Sequence, residues 1–414
     1  MVDMPKLFDV AVVGAGPSGS AAAIHAARAG WEVALIDAAE FPRDKTCGDG
    51  LTPRAMHQLD LLGIKVNPTY RNQGLKLHGY GGSVTAPWPD TYPSTEGTAL
   101  PRTLFDAQLR QAALDHGVTA IHGSAAKPEL DGNRLTSFQV GDDTIQAKWT
   151  IVADGVRSTF GKQLGRTWHQ GEVFGIAARS YADSTHASEP WMHSHVELND
   201  ESGTVQPGYG WIFPLGEELG QVNIGLGALS TSQRPARINT KKLLQHYAAQ
   251  QREAWGLGEI EKVASALLPM GGAVSNVAGA NWMLIGDAAA CVNPLNGEGI
   301  DYGLETAQLA VEMLDERDFT LLWPETLRAH YGEAFLLART AARLLTYPQF
   351  LPFAGPVALR GPVGKALMPA AARLMGNLIT DDDRDLIARA WRLTGQGVAK
   401  IRRDTPLWSP VKAE

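Results

Sequence analysis

Residues 8–37 read FDVAVVGAGPSGSAAAIHAARAGWEVALID, and this stretch decides the fold. Phe8 to Val13 is a short apolar run that predicts a buried strand. Gly14, Gly16 and Gly19 follow at the G-x-G-x-x-G spacing, with Pro17 and Ser18 between the last two. The alanine-rich run Ser20 to Ala29 predicts a helix, with Gly30 as its C-cap. Trp31 to Ile36 predicts a second strand, ended by Asp37. Gly14 permits the tight turn, Gly16 lets a pyrophosphate approach the backbone, and Gly19 lets helix and strand pack closely. The helix N-terminus then faces the phosphates. Asp37 lies 23 residues after Gly14, where an acid binds an adenosine ribose hydroxyl. The stretch predicts a dinucleotide cradle. It does not separate FAD from a nicotinamide cofactor.

Residues 281–307, NWMLIGDAAACVNPLNGEGIDYGLETA, make that separation. An apolar strand ends at Gly286-Asp287. A turn with Pro294 follows, and then a glycine-rich entry, Gly297 and Gly299, into a helix reaching about Leu314. This pattern resembles the FAD-binding motif of the p-hydroxybenzoate hydroxylase-type flavoproteins. The resemblance implies that Asp287 binds the ribityl chain and that Gly299 and Ile300 lie beside the flavin ring. A helix N-terminus suits reduced flavin, which tends to be anionic. Between the two motifs, VADGVRSTFGKQLG (152–165) resembles the family's Asp-Gly element through Asp154, Gly155 and Ser158. Lys162 stands near where an arginine is often found, a departure that speaks against direct use of NADPH. Arg102 falls where the family has a flavin-contacting arginine; as an alternative it is a plain helix-start cation of the amphipathic stretch RTLFDAQLRQAALDHG. Ala126 completes the cofactor set that the resemblance implies.

Two more segments narrow the family: FPRDKTCGDGLTPRAM (41–56), and GYGWIFPL (208–215) followed by Gly225-x-Gly227. With the GEGIDYGLETA helix they resemble the geranylgeranyl reductase family and, over residues 8 to about 390, its actinobacterial menaquinone-reducing branch. The implied activity is FAD-dependent saturation of a double bond in an isoprenoid chain, first the menaquinone tail and next geranylgeranyl diphosphate or lipid groups. Relative to archaeal members, the polar turn Gly216 to Gly220 reads as an insertion at a hairpin tip. On a strand Tyr209, Trp211 and Phe213 share one face. They form either a core stripe or an apolar wall for a prenyl chain, and the resemblance favours the wall. Aromatic faces also stabilise a tertiary cation, by ~0.5–2 kcal/mol each when desolvated. Cys47 sits between a lysine and two glycines; at an ordinary thiol pKa it is mostly protonated and able to deliver a proton. The resemblance supports a functional cysteine there, and its alternative is a small packing residue. Gly48 and Gly50 allow close backbone approach to the cofactor. Cys291 in AAAC reads as a buried hydrophobe.

The rest of the chain bounds these readings. Its 414 residues are 44% apolar and 20% charged, which fits a packed protein of two or three domains or one composite fold. Lys+Arg 37 against Asp+Glu 44 gives a net charge of −7, so a nucleic-acid partner is not expected. Two cysteines exclude a disulfide framework and fit a reducing cytosol. The start MVDMPKLFD lacks the features of a secretory signal, and no apolar run is long enough for a membrane span. His193 and His195 could share a strand face, but no further ligands complete a site, so no metal is expected.

The expected fold class is α/β. A discontinuous, glutathione-reductase-like Rossmann-type FAD domain takes residues 1–72, 96–165 and 270–335. A mixed or antiparallel-sheet substrate domain takes 73–95 and 166–269, with strands at FGIAARSY, HVELN, YGWIFPL and QVNIGLG. C-terminal helices take 336–414. Between Arg339 and Thr380 the basic residues Arg339, Arg343, Arg360, Lys365 and Arg373 are interleaved with apolar runs and no acid, which predicts peripheral docking on the anionic inner face of the cell membrane. The electron donor stays open among ferredoxin, NADPH and a quinol. Two rivals remain: a flavin-dependent hydroxylase or halogenase, and a non-catalytic prenyl-lipid binding protein akin to Rab escort and GDP-dissociation-inhibitor proteins.

Overall fold

The structure, a computed structural model, describes residues 6–362 except 68, 91 and 348, and beyond them residues 366, 370, 373, 374, 376, 378, 379, 389, 393, 394, 397, 407 and 408. It is an α/β fold built on two seven-stranded sheets.

The first sheet starts from Lys6–Val13, whose interior positions Val10, Ala11 and Val12 are fully buried. Parallel partners flank it: Val33–Asp37 on one side and Asp143–Val152 on the other. Thr119–His122 extends the sheet in parallel beyond Val33–Asp37. Trp282–Leu284 pairs in parallel with Asp143–Val152, so a strand from late in the chain completes a sheet begun at residue 6. An antiparallel pair, Arg134–Val140 and Ala125–Asp131, closes the other end. Strands buried on both faces read as unbroken apolar runs, which explains FDVAVV and WMLI. The helix Pro17–Arg28 begins where the sequence places it, with Pro at its first turn.

The second sheet runs Ala264–Pro269, Phe174–Asp183, Gln221–Ser230, Gly208–Pro214, Met192–His195, Gly74–Gly79, Gly82–Pro87. All its pairings are antiparallel except Met192–His195 with Gly74–Gly79. One face packs on the helix Thr240–Trp255 through Leu243, Leu244 and Tyr247. The turn at 216–220 joins two adjacent strands as a hairpin tip.

One strand differs from the expectation. HVELN forms no strand; the strand is Met192–His195, and the chain leaves the sheet at Val196. Its parallel partner turns away just beyond this point, at Gly79, Tyr80 and Gly81, which all have positive φ. Two helices, Phe319–Leu345 and Phe350–Leu359, cover the C-terminal side, and among the described residues no helix is long and apolar enough to cross a membrane.

Candidate active site

A cavity of about 930 Å³ lies between the two sheets and is lined by both. Its first wall is the glycine turn. Gly14 has φ 104, and a Cβ there would overlap the Ala153 carbonyl, so only glycine passes between the first two parallel strands. Gly19 does not line the cavity; a Cβ on it would collide with the Gly14 carbonyl, and its absence sets the helix against the turn. Gly16, Pro17 and Ser18 face the cavity at the helix N-terminus. Above Gly16 sits Arg43, whose Nη2 would be 3.2 Å from a Cβ at that position. Asp37 lines the same wall; its carboxylate accepts the Ala15 and Ala39 amides at 2.7 and 2.8 Å, which fixes it at the end of the strand Val33–Asp37. Open backbone, a helix N-terminus, a cation and a fixed acid are the chemistry of a dinucleotide site.

The second wall comes from residues 286–300. Gly286 is buried, and a Cβ there would run into the Ser18 side chain, so the two cofactor motifs are packed against each other. Asp287 lines the cavity and is paired with Lys45 Nζ at 2.7 Å. Gly297, Gly299 and Ile300 line it at the N-terminus of the helix Ile300–Glu312. Glu298 lies among them, and burial pushes its carboxyl well above the ordinary range. Asp154 also lines the cavity, but its carboxylate is occupied locally: it accepts the Ser158 hydroxyl at 2.7 Å and the Phe160 amide at 2.8 Å and so anchors the helix Thr159–Gln163. Ala126 does not line the cavity, whereas its neighbour Ala125 does.

The third wall is aromatic. Tyr209, Trp211 and Phe213 all line the cavity, with ring centroids 5.9 Å apart for the first pair and 6.1 Å for the second. The alternate residues face the other way: a Cβ on Gly210 would meet the Tyr247 ring at 2.6 Å. Gly225 on the next strand makes room for the wall, because a side chain there would occupy the space of the Trp211 ring.

Cys47, Gly48 and Gly50 line the cavity opposite these rings; a Cβ on Gly48 would be 3.1 Å from Phe213. Burial raises the Cys47 thiol pKa, the Arg102 cation opposing it, so the thiol form dominates near neutrality. Arg102 is buried, forms a double hydrogen bond to Asp106 at 2.6 and 2.8 Å, and is near enough for its charge to act on the Cys47 thiol. It therefore sits under the Cys47 loop. Arg43 shares Asp106 at 2.9 Å, so two cations stand against one acid beside the thiol.

Three residues were not singled out from the sequence: Asp49, which lines the cavity, and Asn223 and Tyr181, which hold it from behind. Asn223 accepts the Trp211 indole N–H at 2.8 Å and donates to the Cys47 carbonyl at 2.9 Å and to Asp49 Oδ2 at 2.8 Å. Tyr181 donates to the same Asp49 oxygen at 2.6 Å. Asp49 is 1% exposed, and burial lifts its pKa to about 6. Asp49 lay inside a quoted motif, and an acid between two glycines beside the cysteine was the one available signal.

The two histidines do share a face, away from the cavity. His193 and His195 each stack on His78, and among the described residues no group able to hold a metal occurs. Cys291 is fully buried. The described C-terminal cations are engaged by the protein to different depths: buried Arg339 donates to the Gly271 carbonyl at 2.7 Å, half-buried Arg343 to Glu172 at 2.7 Å and exposed Arg360 to the Tyr80 carbonyl, and Arg373 is buried. Lys365 lies outside the described residues.

Comparison with known proteins places these features. Residues 8–316 match the family model described as FAD binding domain. A menaquinone reductase from Mycobacterium tuberculosis is 52% identical over 404 residues, covering 96% of this chain and 98% of the relative. A digeranylgeranylglycerophospholipid reductase from Methanopyrus kandleri is 27% identical, over 82% of this chain and 90% of the relative. Among solved structures, a geranylgeranyl bacteriochlorophyll reductase-like protein from Thermoplasma acidophilum superimposes with a TM-score of 0.72 at 19% identity, covering 97% of this chain and all of that one.

Proposed function

Since the chain belongs to the FAD-binding flavoprotein family, in the branch of the menaquinone reductases, we propose that it saturates a carbon–carbon double bond of the menaquinone isoprenoid tail. It is a FAD-dependent oxidoreductase, and FAD is its cofactor. The observation that carries the substrate reading is the row Tyr209, Trp211, Phe213 facing the cavity, beside a relative of 52% identity named a menaquinone reductase. A second substrate, a geranylgeranyl lipid, is favoured only by the archaeal relative of 27% identity.

The residues divide the work. Gly14, Gly16, Pro17 and Ser18 would cradle the pyrophosphate, with Gly19 letting the helix close on the turn, while Asp37 would take the adenosine ribose and Asp287 the ribityl chain. Gly297, Gly299 and Ile300 offer the helix N-terminus to the ring. Bound reduced FAD supplies a hydride. An isolated trisubstituted alkene accepts hydride poorly, so a proton must arrive at its less substituted carbon. Cys47, which lines the cavity with Arg102, would give it, and Arg102 would stabilise the thiolate left behind. The three rings exclude water and stabilise the developing tertiary cation without attacking it. The domain assignment follows: the first sheet with residues 270–335 holds the cofactor, and the second sheet holds the tail.

Access from a bilayer belongs to the same reading. Phe353 and Val357 are 83% and 59% exposed, and Leu351 on the same helix lines the cavity. With Arg339 and Arg373 buried and Arg343 and Arg360 each bonded to the protein, docking rests on apolar insertion more than on headgroup charge. The protein should therefore float with neutral and anionic liposomes alike, at low and high salt; sedimentation in every condition would remove the membrane from the proposal. The substrate reading is tested by reducing the holoenzyme chemically without air and then adding menaquinone and geranylgeranyl diphosphate separately. Mass spectrometry should find two added hydrogens on menaquinone, and an unchanged tail would overturn the reading.

A further inference from the structure

The residue beside Cys47 carries an inference of its own. Asp49 is buried and held at φ 62, a left-handed backbone that an aspartate adopts at a cost. Its Oδ2 accepts two hydrogen bonds, from Tyr181 and Asn223, and its Oδ1 has no partner. A purely structural acceptor would leave no buried oxygen unsatisfied, because such an atom costs free energy without return. An oxygen that carries a proton part of the time needs that freedom. The Asp49 amide also donates to Cys47 Sγ at 3.4 Å, so the acid and the thiol belong to one tight turn.

Resting on the reductase reading above, we propose that Asp49 is the proton store for Cys47, refilled through the Tyr181 hydroxyl. In the step itself the Cys47 S–H bond breaks, its proton forms a C–H bond on the alkene, and its electron pair stays on sulfur. The other alkene carbon takes the hydride. The Asp49 carboxyl O–H then breaks and its proton restores the thiol, leaving a carboxylate. Tyr181 passes its proton to that carboxylate and takes one from water. No oxidant or further reductant enters. The direction is favourable: the thiol pKa is raised by burial, and a carboxyl at about 6 is the stronger acid. The charged and titratable groups around Asp49 are Arg179 and Tyr181 on the strand Phe174–Asp183, Arg102 on the helix Arg102–Asp115, and Cys47 on its own loop. Asp49 acts through Cys47 and is a positioning residue.

The test begins with a readout that needs no substrate. In the oxidised holoenzyme, alkylation of Cys47 by iodoacetamide is followed against pH by peptide mass spectrometry. Asp49→Asn removes a carboxylate from beside the thiol and should move the alkylation midpoint down, on the order of one pH unit. Turnover in the wild type should fall as pH rises through about 6. The Asp49→Asn variant should be slower by about tenfold or more and lose that limb, a change in rate set by the missing proton. Tyr181→Phe leaves the acid in place and should slow turnover with little change in alkylation. An unmoved alkylation midpoint in Asp49→Asn, or an unaltered pH limb, overturns the proposal. Should Asp49→Asn fail to retain flavin, Tyr181→Phe decides alone: turnover equal to wild type overturns it. A protein that reduces no isoprenoid defeats the substrate reading while the alkylation shift still stands.

Discussion

The Trp211 indole N–H donates to Asn223 Oδ1 at 2.8 Å, and the same side chain holds the Cys47 carbonyl through its amide. The ring wall and the cysteine loop are thus fixed by one residue on the neighbouring strand. A shift of either would be felt by the other, which is what a site needs when a proton and a cation-stabilising surface must meet one alkene.

Trp211→Ala should leave FAD bound, since none of the glycine-turn contacts involves the indole, and should cut turnover by about tenfold or more as the cation-stabilising surface goes. Trp211→Phe keeps an aromatic face and loses only the hydrogen bond, so its fall should be smaller. Flavin content at 450 nm beside steady-state turnover checks both. Normal turnover in the alanine variant would end the aromatic-wall argument.

Gly225 and Gly227 make a controlled pair. A Cβ on Gly225 would overlap the Trp211 ring and lie 2.7 Å from the Ala178 carbonyl, whereas one on Gly227 meets that ring at an ordinary 3.7 Å. Gly225→Ala should lower stability by roughly 1–3 kcal/mol through overpacking and reduce turnover. Gly227→Ala should change both little. Melting curves and rates on the two variants, side by side, read the difference.

Lys45 holds Asp287 at 2.7 Å, where the cofactor's ribityl hydroxyls are assigned. Asp287→Ala should weaken FAD binding about tenfold, equivalent to about 1.4 kcal/mol. Lys45→Met removes a competitor for the acid and should not weaken binding. Quenching of flavin fluorescence on titration measures both, and an Asp287→Ala affinity equal to wild type would move the ribityl contact elsewhere.

Burial holds the imidazoles of His193 and His195 down to about 3. Neighbouring His78 and, for His193, Lys76 act in the same direction. Both rings are therefore neutral in the fold and protonate readily once unfolded. The stability they permit is full above pH 6.5 and is lost as pH falls from there toward 3. At pH 5 the loss should be about 2 kcal/mol for each ring. Melting temperature measured at pH 7.5 and pH 5 should fall on acidification, and His195→Gln should shrink the fall. Equal drops in variant and wild type would exclude this ring as a source.

What the sequence made legible was local. The glycine turn, its helix and Asp37 lie within 30 residues, and their spacing is dictated by backbone geometry. Tyr209, Trp211 and Phe213 follow from strand alternation alone. Asn223 and Tyr181 were not legible because their partners lie 174 and 132 positions away, at Asp49. No periodicity records a contact across a sheet that the chain leaves and re-enters. The Lys45–Asp287 pair, 242 positions apart, is hidden for the same reason. The arginines of the C-terminal region were legible only as charge. Their charge is real, but composition does not tell a cation facing lipid from one answering a buried carbonyl such as that of Gly271.

Trp282–Leu284 lies alongside Asp143–Val152. On the ribosome, the nucleotide-binding sheet therefore waits for roughly the final third of synthesis before its last member arrives. Until then Asp143–Val152 exposes an unpaired edge along its C-terminal half, and the half of the cradle that carries Asp287 has not been made. Flavin capture is consequently a late event in the life of a nascent chain, and cells short of flavin should accumulate the full-length chain with two cradle halves and no ligand to clamp.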